Sequence, residues 1–294
     1  KYAMCSSSCG TASSWSNVSV DDIGSGKDYS TDIEIDSNDA VHIAYHWGTN
    51  LNVRYATCTT SCASASSWTN TSGISLSNIN EVALAIDSND ALHIAVYDNS
   101  NEDLIYLTCT SSCTSAPSWS NISAVTTGKV GARLSIAVDS TNNPHISYQD
   151  YTIGPASSTL EYATCTSSCL SNSTFWTHGT VDSTAAMAYG TSIAVNHNND
   201  SVHIVHAAIF GGNVHYLGSD TAPYTVSPDL PRGLSLDWGT GTISGTPREL
   251  STSTIYTITA RNAHGTDTAT LTISVNAPPS LSYDLGTGNS TSVY

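Results

Sequence analysis

Arg54-Tyr55-Ala56-Thr57-Cys58, Trp68-Thr69-Asn70, Glu81-Val82-Ala83-Leu84-Ala85-Ile86, Asp87-Ser88-Asn89-Asp90 and Leu92-His93-Ile94-Ala95-Val96-Tyr97 follow one another within residues 54–97. Apolar and polar side chains alternate in these runs, and Asn, Asp, Ser and Gly clusters bound them. That pattern specifies half-buried β-strands. Asp87-Ser88-Asn89-Asp90 reads as a hairpin turn, because Asx side chains bond local backbone and tolerate the left-handed region. The stretch therefore encodes four short strands.

The same order occurs in every copy of a repeat of about 50 residues. Each copy carries a Cys-x-x-x-Cys: Cys5 with Cys9, Cys58 with Cys62, Cys109 with Cys113 and Cys165 with Cys169, the pair starts 53, 51 and 56 residues apart. Trp15, Trp119 and Trp176 match Trp68. The other hairpin turns lie at Asp36-Ser37-Asn38-Asp39, Asp139-Ser140-Thr141-Asn142-Asn143 and Asn196-His197-Asn198-Asn199-Asp200. Four short strands per unit is the content of a propeller blade, which limits exposed sheet edges by radial repetition. No stretch shows sustained helical periodicity. The expected fold is all-β: a β-propeller-like array of about four four-stranded repeats, then a small immunoglobulin-like β-sandwich.

The repeats fall at about 1–52, 53–103, 104–159 and 160–213, with a closing strand at 213–219. Asn213-Val214-His215-Tyr216-Leu217 repeats the opening strand of a copy, and no cysteine pair follows. The chain begins in that same strand, at Lys1-Tyr2-Ala3-Met4-Cys5, with no initiator Met and no signal peptide, as in a mature or trimmed chain. Either the copies close into a small ring with one redundant strand, or further blades lie upstream.

After residue 220 the composition changes. Leu230-Pro231-Arg232-Gly233-Leu234 leads to Gly241-Thr242-Ile243-Ser244-Gly245-Thr246-Pro247, and then to alternating runs at 255–262 and 265–275. Residues 221–276 resemble the immunoglobulin-like (cadherin-like) modules of bacterial and archaeal surface proteins. The resemblance implies a spacer, stalk or adhesive unit with no catalytic residues. The array itself resembles, more loosely, secreted propeller-like repeats with an Ile-Asp-x-x-x-x-x-His-Ile-x-Tyr core.

A complete immunoglobulin-like sandwich needs about seven strands and about 100 residues, and 220–276 supplies about five. The tail, 277–294, opens with Pro278-Pro279 and alternates through Leu281, Tyr283 and Leu285 like the first strand of another module. It can serve as a donor strand that completes its own or a neighbour's sandwich. Joining of that kind gives an open filament. Leu281, Tyr283 and Leu285 are then the polymer contacts, and deleting 277–294 is expected to abolish assembly. A further module beginning at the tail is the alternative.

Eight cysteines in four local pairs specify disulfides and an oxidising, extracellular or cell-surface setting. Zinc is the competitor, but the spacing is not the usual Cys-x-x-Cys. Sequons stand at Asn17, Asn70, Asn121, Asn172, Asn199 and Asn289. Three follow a repeat Trp by two residues, which puts them at one site on successive blades. A formal net charge of −16 with eight Lys and Arg disfavours a polyphosphate partner. No run reaches the ~18 apolar residues of a membrane span.

His42, His93, His145 and His203 share one repeat position, which marks a structural layer and not a general base. A metal site of His203, His206 and His215 is conceivable, but no Glu-containing metalloprotease spacing accompanies them, and no metal site is expected. The Asx turns lack the Gly and closing Glu of an EF-hand, so weak surface calcium is the extent of the cofactor signal. No nucleophile elbow, phosphate loop or convergent pair among Glu34, Glu81, Glu102, Glu161 and Glu249 stands out. Trp47 and Trp238 lie off the repeat, and Trp47 can line a binding face. Three functions follow: a non-enzymatic surface or filament subunit that self-associates, a glycan-binding adhesin or lectin using the propeller face, and a carbohydrate-active enzyme.

Overall fold

The computed structural model describes the chain apart from residues 23–29, 48–51, 72–73, 75, 77, 155–156, 184–186, 209–213, 219–223, 228, 238–240, 263–264, 277–280, 285–289 and 294. Leu285, Asn289, Trp238 and the side chains of Trp47, Leu281 and Tyr283 lie outside the described residues. The fold is all-β.

Strands β1 (Tyr2–Met4) and β2 (Ser16–Val18) pair as a two-stranded sheet. Three four-stranded antiparallel sheets follow. The first holds β3 (Thr31–Ile35), β4 (Val41–Trp47), β5 (Asn52–Cys58) and β6 (Thr69–Asn70). The second holds β7 (Ile79–Ile86), β8 (Leu92–Asp98), β9 (Asp103–Cys109) and β10 (Ser120–Val125). The third holds β11 (Val130–Val138), β12 (Pro144–Asp150), β13 (Thr159–Thr164) and β14 (Thr177–Asp182). A fourth sheet has three strands: β15 (Met187–Asn196), β16 (Ser201–Ala208) and β17 (Val214–Gly218).

The sheets are offset from the sequence repeat. Each takes its first two strands from one copy and its last two from the next, so a cysteine pair lies between the third and fourth strands of a sheet. β1 and β17 are therefore both third strands. Consecutive sheets pack face to face through their first strands, β3 on β7, β7 on β11 and β11 on β15.

The core lies between sheets. Ala44, Val53 and Tyr55 of the first sheet enclose Leu84, Ile94 and Leu107 of the second. Leu104, Tyr106 and Val125 of the second meet Ile136, Ile146 and Tyr148 of the third. Each cysteine pair is bonded within its own repeat: Cys5 to Cys9, Cys58 to Cys62, Cys109 to Cys113 and Cys165 to Cys169. Each pair is followed by a single turn of 3-10 helix that delivers the repeat Trp. The Trp indole N–H then donates to the carbonyl of the second cysteine. Trp15 reaches Cys9 at 2.9 Å, Trp68 reaches Cys62 at 3.0 Å, Trp119 reaches Cys113 at 2.8 Å and Trp176 reaches Cys169 at 3.0 Å.

The C-terminal module contains the sheet β18 (Tyr224–Ser227), β21 (Ser251–Asn262) and β22 (Gly265–Val275), and the small pair β19 (Leu234–Leu236) and β20 (Ile243–Gly245). Strand β19 packs on β14, and the Arg232 guanidinium lies 4.1 Å from the Phe175 ring centroid. In the tail, β23 (Leu281–Asp284) pairs with β24 (Ser290–Val293). The tail strand is thus engaged in its own hairpin and not added to the β18–β21–β22 sheet. Among the described residues no helix is long and apolar enough to cross a membrane.

Candidate functional site

Repetition separates what every blade needs from what only one blade has. The histidine layer belongs to the first kind. Nδ1 of His42, His93, His145 and His203 meets the hydroxyl of Tyr55, Tyr106, Tyr162 and Tyr216 on the adjoining strand, at 2.6, 2.7, 2.5 and 2.6 Å. In the first three sheets Nε2 faces the turn carboxylate, Asp36 at 3.2 Å and Asp87 and Asp139 at 3.3 Å. Burial lowers the pKa of His93 and His145 against the pull of those carboxylates. At His93 and His145 a neutral imidazole that accepts the tyrosine O–H at Nδ1 and donates from Nε2 to the aspartate satisfies all three groups. In the fourth sheet Asn196 replaces the turn aspartate, and His203 uses Ser201 Oγ at 2.8 Å instead.

The turn aspartates hold the hairpins. Asp139 Oδ1 accepts the N–H of Thr141 and of Asn143, both at 2.8 Å. Burial raises the Asp139 pKa, but the Asn143, Thr141 and His145 donors outweigh it and hold it at about 2. Successive turns are also tied together. Ser37 donates to Asp90, Ser88 to Asn142 and Ser140 to Asp200, each through its N–H and its hydroxyl.

The junction between consecutive sheets belongs to the second kind. The sixth residue after each repeat Trp meets a directly opposed pair on the second and third strands of the next sheet. The pairs are Tyr45/Arg54, Val96/Ile105, Tyr148/Glu161 and His206/His215. At the first junction Asp21 Oδ2 accepts from Tyr45 Oη at 2.7 Å and Arg54 Nη1 at 2.6 Å. At the second, Ile74, Val96 and Ile105 are purely apolar. At the third, Val125 packs with Tyr148, while Glu161 accepts from the Thr159 and Thr180 hydroxyls at 2.7 and 2.8 Å. Burial drives the Glu161 pKa up to about 7. At the fourth, Asp182 Oδ2 lies 3.0 Å from His206 Nε2 and 3.6 Å from His215 Nδ1.

His203, His206 and His215, weighed together from the sequence, are not brought to one point. Residues an odd number apart on a strand point to opposite faces, so His203 turns away from His206, and Asp182 takes its place. Strand alternation alone excludes His203. Asp182 comes from another sheet, and its signal is its place six residues after Trp176.

The first cysteine of a pair ends or follows the third strand of a sheet, at Cys5, Cys58, Cys109 and Cys165. The second lies in the loop beyond it, where Cys9 is exposed, Cys62 buried, and Cys113 and Cys169 half-buried. Asn17, Asn121, Asn172 and Asn199 are exposed. Asn70 is half-buried and donates its amide to the Val20 carbonyl at 3.0 Å, so its nitrogen is already engaged. A groove of about 280 Å³ between the third sheet and the C-terminal module is lined by Glu161, His178, Thr180, Ser235, Thr246 and Arg248. Burial, and then the Arg248 charge, lower the His178 pKa.

The two ends of the array differ from its middle. Val53, Leu104 and Leu160 are 0% exposed, but the equivalent Val214 is 75% exposed. Tyr55 packs edge-on against Trp119 at 5.6 Å, and Tyr106 is tilted against Trp176 at 5.0 Å. The equivalent Tyr216 is 55% exposed. At the other end Leu84, Ile136 and Ile193 are buried, whereas the equivalent Ile33 is 48% exposed and Ile35 61%. A groove of about 390 Å³ beside Ile33, lined by Tyr2, Val20, Asp21, Asp32 and Tyr45, borders that face.

Residues 186–276 match the family described as "Putative Ig domain", and the C-terminal module is immunoglobulin-like. The matched range opens at β15, although β15–β17 pair among themselves and β15 packs on the third sheet. No curated protein matches the sequence. Among solved structures, the chain is similar to a point mutant of the NanB sialidase from Streptococcus pneumoniae, at 14% identity over 62% of this chain and 28% of that one, TM-score 0.42. It is similar to an endo-1,4-β-xylanase from Bacteroides thetaiotaomicron, at 14% identity over 90% and 93%, TM-score 0.41. It is also similar to a GH43 β-1,3-galactosidase, at 9% identity over 88% and 58%, TM-score 0.47. The chain spans 28 to 56% of the length of several structures it matches, the sialidase among them.

Proposed function

We propose that this chain is a non-enzymatic, extracellular structural subunit that associates head to tail with copies of itself. One observation carries the reading: the positions of Val205, Val214 and Ile33 are buried in the other sheets and exposed at the two ends of the array. The face bearing Val205, Val214 and Tyr216 is the kind that covers a following sheet. The face bearing Ile33 and Ile35 is the kind that is covered by a preceding one. In this reading the complementary face comes from a second copy. Contiguous apolar exposure of this sort marks interaction surfaces, and two unlike faces build an open series. Four disulfides fit an oxidising setting.

Donation of the tail strand is the other joint the sequence suggests. It requires the β23–β24 hairpin to open, whereas the sheet faces need no unfolding, so the faces carry the reading. Light scattering and electron microscopy of the purified chain test it. Concentration-dependent oligomers or fibres that persist after deletion of 277–294 are expected. Monomers at high concentration would overturn self-association, and fibres lost with the tail would reassign the joint to strand donation.

A further inference from the structure

We propose that Asp182, His206 and His215 bind a divalent first-row transition-metal ion, with Zn2+ as the working probe, at the junction between the third and fourth sheets. Their ligand atoms all lie within 4.8 Å of one another. Two imidazoles and a carboxylate are a donor set that suits zinc and its neighbours. Ligands held at ~2.0–2.2 Å around zinc sit roughly 3.3–3.5 Å apart. The Asp182–His206 and Asp182–His215 pairs, at 3.0 and 3.6 Å, bracket that spacing.

The fold does not require this trio. The same junction is filled by Ile74, Val96 and Ile105 at one interface and by Asp21, Tyr45 and Arg54 at another. The first shows that an apolar filling satisfies the packing. The second shows how the repeat accommodates an aspartate there, with a permanent guanidinium charge. Asp182 has two imidazoles instead, which hold its carboxylate by convergent contacts on one oxygen, Oδ2. A buried polar cluster is costly unless every member is satisfied. His206 is 2% exposed, and its Nε2 faces Asp182 Oδ2 at 3.0 Å. A cation bound between Asp182, His206 Nε2 and His215 Nδ1 balances the carboxylate charge and ties two blades together. His215 is half-buried, which gives the ion a route in and leaves a coordination position facing out.

The His206/His215 arrangement is what a β-sheet offers for metal binding, since directly opposed residues point to one face. It places both rings on the side of the fourth sheet that meets Asp182. Their ring centroids are 5.0 Å apart.

Isothermal titration of the EDTA-treated full chain with Zn2+ tests the site, with Co2+ absorption as a spectroscopic readout. The expected result is one Zn2+ per chain, a higher unfolding midpoint with Zn2+, and visible Co2+ bands. His215→Gln, at a half-buried position, is expected to keep the metal-free midpoint and weaken Zn2+ at least ~10-fold, as loss of a metal-supporting group does. Asp182→Asn is expected to behave likewise, and His197→Gln, at an exposed histidine, to bind as the parent does. A folded chain that takes up no Zn2+ overturns the proposal. So does binding of unchanged affinity in both His215→Gln and Asp182→Asn, which would place the ion elsewhere.

Discussion

Glu161 is a carboxyl group held where its charge is costly. It is 7% exposed. Burial raises its pKa from 4.5 to about 7, the Thr159 and Thr180 hydroxyls pull the other way, and the Asp150 and Asp237 charges add to the rise. The sign of the effect follows from proton uptake. Between 4.5 and about 7 the folded chain keeps a proton that the unfolded chain has released. Stability therefore falls as pH rises through that window and levels off above it. A shift of this size corresponds to ~3 kcal/mol at most. Glu161→Gln keeps an oxygen for the threonine hydroxyls and cannot ionise. It is expected to flatten the pH dependence and to be more stable than the parent at about pH 8 but not at about pH 5. Denaturant unfolding at the two pH values measures this, and equal slopes for parent and variant would mean that Glu161 stays ionised in the fold.

The repeated element of this protein is a triad of disulfide, 3-10 turn and Trp, and its worth depends on the neighbouring sheet. Trp119 is 7% exposed against Tyr55, whereas Trp15 has the same hydrogen bond and is 46% exposed. Trp119→Ala is expected to cost ~3–5 kcal/mol, as other buried Trp truncations do, and Trp15→Ala about 1 kcal/mol for one exposed hydrogen bond. Thermal or denaturant unfolding compares them, and equal losses would mean that Trp15 is covered in solution. This element was legible in the sequence because each of its parts is local. The cysteine pair, the Trp and the Asx turn recur at fixed spacing, and the positive φ at Asp39, Asp90, Asn142 and Asp200 is what Asp and Asn tolerate. What was not legible depends on contacts between sheets. Repeats reveal equivalent positions but not which copy a strand joins, so the half-repeat offset of the sheets was hidden. The partner of His206 and His215 was hidden for the same reason, because Asp182 is brought to them by stacking and not by chain proximity. The tail reads as a lone strand by alternation, but its partner β24 follows only a few residues later.

At the scale of the whole molecule, the array has surplus and deficit at opposite ends. β1 and β2 take the places of third and fourth strands and pair only with each other among the described residues. β15, β16 and β17 take the places of first, second and third strands, and no fourth strand pairs with them among the described residues. Under the proposed association, the end of one copy and the start of the next form one four-stranded sheet, with either β1 or β17 as its third strand. Whichever strand stays, β16 keeps its place, and Val205, 38% exposed, then faces the next copy's Ile33. The equivalents of Val205 in the earlier sheets, Ala44, Ala95 and Ser147, are all 0% exposed. Val205→Asp and Ile33→Asp each put an unpaired charge on one of the two faces, which is strongly unfavourable on burial. Each variant alone is expected to be a folded monomer, since both positions are exposed in the single chain. Mixed together they are expected to give a discrete dimer and nothing larger. The intact Ile33 face of the first variant can take the intact Val205 face of the second, and the two remaining faces are blocked. Light scattering of the separate and mixed variants reads this directly. A joint between like faces would give no new species on mixing, because each variant would already be either competent or blocked by itself.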